Sequence, residues 1–150
     1  MKRLITILTI LVLIPGCNEP EATENLTADT PGFVLSDENV EVKIGEDGTL
    51  LSLVNKETGH NYASGEGLWR MFYNTHEEKE MQIDGTENTP EVSQEGDVII
   101  ITYKDLVHRG KALKMGLTLT VKVEDGAVRF GSEVSNNEPG TIIRELQYPL

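Results

Sequence analysis

The sequence has one cysteine, three histidines and a single tryptophan, and aromatic residues make up 5% of its 150 positions. One Cys excludes an internal disulfide framework and any Cys-rich zinc site. So few rings exclude a broad aromatic platform for sugars or bases. Basic residues are also scarce, 13 Lys and Arg against 25 Asp and Glu, a formal net charge of −12. Phosphate backbones are held by clustered Lys and Arg, so nucleic acid is excluded as the main partner. Helical periodicity is missing beyond the N-terminus: no window of about ten residues there repeats its apolar positions at helical spacing. What remains is ordinary for a globular domain, with 38% hydrophobic and 25% charged residues. A region of this size fits one domain and buries roughly two thirds of its unfolded surface.

Met1-Lys2-Arg3 supplies a positive start, and Leu4 to Ile14 is an unbroken run of apolar residues and threonines. That run is far short of the ~20 residues a spanning helix needs, but it suits the apolar region of a secretory signal. It closes with Leu13-Ile14-Pro15-Gly16-Cys17, which resembles the lipobox of bacterial lipoproteins. The resemblance implies that residues 1–16 are a signal peptide and that Cys17 is acylated at the mature N-terminus. The competing reading is an ordinary signal followed by an incidental Cys. Several acyl chains at ~0.8 kcal/mol per buried CH₂ would hold the protein durably at the lipid bilayer of the cell envelope, in the outer membrane or at the cell surface. Removing Lys2 and Arg3 leaves 11 of the 13 basic residues against 25 acidic ones, a net charge of −14. An electrostatic attachment to anionic lipid is therefore excluded. Residues 17–32 carry almost no large apolar side chain and read as a disordered acidic tether. Its early acidic residues resemble the surface-export signals of some Gram-negative lipoproteins.

From Phe33 onward the pattern has period two, broken by glycine turns. Val40, Val42 and Ile44 alternate with Glu41 and Lys43, Glu46-Asp47-Gly48 turns the chain, and Thr49 to Val54 returns. Leu68 to Tyr73 reads as a strand covered partly on both faces, and Val98 to Tyr103 as a central one. Leu113, Met115, Leu117, Leu119, Val121 and Val123 share one parity, which predicts a strand with one dry face. Asp125-Gly126 turns it back through Val128, Phe130 and Val134, and a last strand runs from Thr141 to Tyr148. Thr75 to Glu80 and Asp84 to Gly96 are polar and read as surface loops. The fold class predicted for residues 33–150 is all-β, an antiparallel β-sandwich of two sheets.

No nucleotide-binding, nucleophile-elbow, zinc-protease or calcium-loop motif is present, so no cofactor and no metal site are expected. His76-Glu77-Glu78 has the donor types for a metal but reads as a solvated loop. His108-Arg109 lies between two strands and could offer a cationic edge to a ligand; the plainer reading is a local hairpin pair. Trp69 and Tyr73 alternate with Met71 inside an apolar strand, so they either stack on a sugar ring or pack in the core. Trp69, Tyr73, His108 and Arg109 are thus the candidate ligand-binding residues, and no catalytic residue is assigned. Acidic pairs are too numerous to single out a glycosidase dyad.

The order of segments adds one further reading. Gly48-Thr49-Leu50-Leu51-Ser52-Leu53-Val54-Asn55-Lys56-Glu57-Thr58-Gly59, then Gly67-Leu68-Trp69-Arg70 and a closing Arg144-Glu145-Leu146-Gln147-Tyr148-Pro149, resembles the N-terminal sandwich of secreted bacterial glycoside-hydrolase-like proteins. That domain is of the galactose-mutarotase-like, or supersandwich, type. The resemblance implies a sandwich that precedes a catalytic (β/α)₈ barrel, and the chain ends before such a barrel, so an incomplete sandwich and a fragment are expected. Three functions follow as expectations. The first is the accessory sandwich of a carbohydrate-active lipoprotein, partnered by carbohydrate or by the missing C-terminal catalytic domain. The second is a stand-alone surface module that binds a glycan or a protein. The third is a small mutarotase or lyase, which would need His60, His76 or His108 gathered in a cleft.

Overall fold

Strand β10 (Met115–Glu124) buries Met115, Leu117, Leu119 and Val121 and turns Gly116, Thr118, Thr120 and Lys122 the other way. On a pleated strand alternate side chains share a face, so this sequence makes one continuous apolar surface, as its parity predicts. Leu113 is buried just ahead of the strand, and Val123 packs against the core at its end. The computed structural model describes residues 31–64 and 67–150. Asp125 and Gly126 both take positive φ, 53° and 75°, as a two-residue hairpin turn of the twist-matching type requires. β11 (Ala127–Asn136) then returns in full register, Ala127 opposite Glu124 and Asn136 opposite Met115.

β10 and β11 belong to a four-stranded antiparallel sheet ordered β11-β10-β7-β6, with β6 at Glu91–Glu95 and β7 at Val98–Tyr103. The β-branched run of β7 is central, as expected, and contributes Ile99, Ile101 and Tyr103 to the buried face. Two smaller sheets cover that face. One is β1 (Gly32–Ser36), β2 (Val40–Gly45) and β3 (Leu50–Asn55), of which β1 and β2 pack across β7, β10 and β11. The other is ordered β12-β4-β5, with β4 at Arg70–Asn74, β5 at Met81–Asp84 and β12 at Ile142–Gln147. Trp69 meets Tyr103 edge-on at 5.1 Å between ring centroids, and Tyr148 meets Phe130 at 5.5 Å. The Tyr148 hydroxyl also donates to the Thr120 carbonyl at 2.9 Å. A short hairpin of β8 (Val107–His108) and β9 (Lys111–Ala112) closes one end. The architecture is all-β and antiparallel, consistent with a β-sandwich. Its core runs through all three larger sheets as one cluster, each large aliphatic side chain contributing ~1.5–3 kcal/mol by burial.

Three local expectations need correction. Asp84 to Gly96 is not one surface loop: it holds the end of β5, a single 3₁₀ turn (Gly85–Glu87) and all of β6. β6 lies at a sheet margin and leaves four of its five residues exposed, so its sequence carries no alternation to read; the free hydrogen-bonding edge of β7 makes it a strand. Val134 sits on the inner parity opposite Leu117 yet is 36% exposed, within the half of β11, Ser132 to Asn136, that is exposed throughout. The ordered sheet opens at Gly32, inside the stretch read as tether, where Gly32 pairs with Gly45. A Cβ on Gly32 would collide with the Ile44 carbonyl. The expected signal peptide, Cys17 and the tether through residue 30 lie outside the described residues.

Candidate functional site

Trp69 and Tyr73 both point inward, so the core reading holds for each. Trp69 is fully buried; its indole lies on Tyr103 and its edge closes on Gly85, where a Cβ would stand 2.7 Å from Nε1. It is remote from solvent and leaves no ring face open at the surface. Tyr73, 2% exposed, meets His108 edge-on at 5.7 Å. His108 is 9% exposed, and neither Nδ1 nor Nε2 has a hydrogen-bond partner among the described residues. Buried imidazole nitrogens are normally paired, which makes this residue unusual in the fold.

Arg109 and Gly110 form the β8–β9 turn at positive φ, 50° and 75°. That turn aims Arg109 back at the loop after β4, where its Nη1 donates to Glu78 Oε2 at 3.2 Å. The loop is itself shaped by Thr75, whose Oγ1 accepts the backbone N–H groups of Glu77 and Glu78. From the β11–β12 turn comes Glu138, which accepts from the Lys114 backbone N–H at 2.9 Å and lies 3.6 Å from Lys111 Nζ. Gly140, at φ 70°, leaves room for His76: a Cβ there would stand 2.7 Å from the imidazole Cδ2. Together these groups line a cleft of about 500 Å³, with Tyr73, Met81, His108 and Leu113 among its walls and the two ion pairs beside them.

Three of the four residues singled out in the sequence, Tyr73, His108 and Arg109, therefore meet in one place, and Trp69 does not join them. His76 enters the same cleft, while His60 lies in the turn after β3 against Tyr62. Lys111 and Glu138 were not legible as site residues, and Glu78 was read only as part of a solvated loop. The three come from the β4–β5 loop, strand β9 and the β11–β12 turn, and only the packing of two sheets and a hairpin brings them together. Among the described residues no three His, Cys, Asp or Glu side chains converge to hold a metal ion.

Burial pushes the Tyr73 hydroxyl above its ordinary range; Arg109 pulls it down, and Glu78 and Glu138 raise it. The phenol therefore stays protonated at neutral pH. Glu138 is held below its ordinary value chiefly by the Lys114 N–H, with partial desolvation opposing and Lys111 assisting. It stays an ionised acceptor. Around one concavity the chain thus presents a phenol, a guanidinium and an ammonium as donors and three carboxylates, Glu77, Glu78 and Glu138, as acceptors. The Arg109–Glu78 pair is well exposed, and such pairs contribute only ~0–1 kcal/mol, so a ligand can part it at little cost. No helix among the described residues is long and apolar enough to cross a membrane. No protein-family profile, curated protein or solved structure matches this chain.

Proposed function

We propose that this chain is a membrane-anchored lipoprotein whose β-sandwich binds carbohydrate, as the accessory domain of a glycoside-hydrolase-like protein whose catalytic domain lies outside residues 33–150. The observation that carries the reading is the cleft joining Tyr73, His108 and Arg109 to His76, Glu78, Lys111 and Glu138. Sugar hydroxyls both donate and accept, so they are matched by alternating cationic donors and carboxylate acceptors, the arrangement along this rim. Three carboxylates against the two cations Arg109 and Lys111 suit a neutral polyol better than a phosphate or sulfate. A volume of about 500 Å³ lies within the ~300–1,000 Å³ range of small-molecule sites. The β2–β3 hairpin that carries the family resemblance is also well formed. Gly48 turns at φ 79°, and the Asn55 side chain accepts the N–H groups of Glu57 and Thr58 before Gly59 at φ 71°. Anchorage rests on the Leu13 to Cys17 sequence and the covalent chemistry it resembles.

Calorimetric titration of the full chain in detergent with a panel of neutral mono- and oligosaccharides tests this. Binding with a Kd between about 1 μM and 1 mM is expected, weakened at least tenfold by Arg109→Ala. A flat response across the panel refutes the reading. One observation favours a second reading, acid–base chemistry on a sugar ring: His76 and His108 share the cleft with three glutamates. Proton transfer needs a ring nitrogen within hydrogen-bond reach of the substrate. Both His108 nitrogens are enclosed, so binding is the better-supported function.

A further inference from the structure

The two margins of the four-stranded sheet offer a second strand quite different terms. β6 is five residues long and carries Glu91 and Glu95 at its ends. Two antiparallel copies centred on Ser93 would set glutamate against glutamate twice, which discourages edge pairing. β11 is ten residues long and, among the described residues, is paired with β10 on one side only. It contains neither Pro nor Lys, the residues that commonly guard an edge, and Ser132 to Asn136 are all exposed.

The sequence of β11 is complementary to itself when a second copy is laid antiparallel and centred on Gly131. Arg129 then faces Glu133 of the second copy, and the symmetry repeats that contact. Val128 faces Val134 of the second copy, again twice. These pairs fall on the correct sides of the sheet. Arg129 and Glu133 lie opposite Lys122 and Thr118 on the outer face, and Val128 and Val134 lie opposite Val123 and Leu117 on the inner one. Glu133 has no ion-pair partner among the described residues, and Arg129, 62% exposed, meets only Glu124. Shifting the centre by one residue separates the charges and the valines, and any shift of strand register by a single residue also exchanges the two faces. Gly131, at the centre, places no side chain where the two strands cross the axis.

We propose that β11 is a homodimerisation edge: a second copy of this chain pairs with it antiparallel about Gly131, joining the two four-stranded sheets and covering Val134. This inference is independent of the carbohydrate reading.

Light scattering of the full chain in detergent, with the detergent mass subtracted, measures the assembly across a concentration series. A dimer is expected at micromolar concentration. Glu133→Arg opposes two cations at both contacts, and Arg129→Glu opposes two carboxylates; each should raise the dimer dissociation constant about tenfold or more. The double variant Arg129→Glu/Glu133→Arg restores opposite charges and should return to within about threefold of the parent. Circular dichroism and Trp69 fluorescence verify the fold of each variant, and either single serves if the other fails to fold. A parent that stays monomeric overturns the proposal. So does a dimer indifferent to both single changes, or a double variant no better than the singles. A monomer whose outer β11 amides exchange slowly overturns it too, since the edge would then be covered by the chain itself.

Discussion

Gly85→Ala is a one-carbon change whose cost follows from the seat of Trp69. The new Cβ would stand 2.7 Å from the indole Nε1, 2.9 Å from Cδ1 and 3.1 Å from Cε2, closer than such atoms approach. Neither partner can retreat easily. Trp69 is fully enclosed and lies against Tyr103, and the Gly85 backbone is tied to it by an N–H to the Trp69 carbonyl at 3.0 Å. Overpacking of this kind costs about 1–3 kcal/mol. The restricted unfolded chain returns about 0.4–1 kcal/mol, so a net loss of roughly 0.5–2 kcal/mol remains. With a urea slope of ~1.5 kcal/mol/M the unfolding midpoint should fall by roughly 0.3–1.3 M. Trp69 is the only tryptophan, so its fluorescence reports unfolding from the perturbed site itself. In the double variant with Trp69→Phe, followed by circular dichroism, the combined loss should be smaller than the two single losses added. A Gly85→Ala midpoint equal to or above that of the parent refutes the packing argument.

His108→Leu removes two enclosed nitrogens that have no partner, so stability should hold or rise by up to ~2 kcal/mol. The same variant should weaken sugar binding through the altered wall of the cleft, and a stability loss above ~2 kcal/mol would reveal an unrecognised partner for the ring. Acid should destabilise the fold through carboxylates held below their ordinary values, Asp37 and Glu138 among them. Asp37 is held down by the Val40 and Asn39 N–H groups and, across the sandwich, by that of Gly126; Glu138 is held down by the Lys114 N–H. Their contribution is present above the ordinary values of 3.8 and 4.5 and is lost as pH falls through the lower folded values. The urea midpoint should therefore be level from neutral pH to about 5 and drop below about 4. Asp37→Asn/Glu138→Gln should show a shallower drop, and an unchanged one counts against these bonds. Cys17→Ser should abolish labelling by a fatty-acid analogue and release the protein from membranes, whereas persistent labelling disproves acylation at that position.

Alternation and turn chemistry are local properties, and they were readable without coordinates. Side chains two apart on a pleated strand share a face, so Leu117, Leu119 and Val121 had to bury together whatever they packed against. Asp125-Gly126 and Gly48 specified hairpins for the same reason: only a few residues tolerate positive φ. Three of the cleft residues, Tyr73, His108 and Arg109, stood out by chemical type, but nothing local said that they would meet.

The sequence by itself determined the all-β class, the main hairpins and the apolar face of β10, since each depends on residues adjacent along the chain. Only the tertiary structure decided that polar stretches such as Glu91 to Glu95 become strands, because an unpaired sheet edge supplies hydrogen bonds that side-chain pattern does not encode. It also decided that Trp69 is enclosed while Tyr73 borders a cleft, though both share a parity. And it brought Glu78, Lys111 and Glu138 to one rim, because long-range packing, rather than spacing along the chain, sets which loops and strands lie side by side.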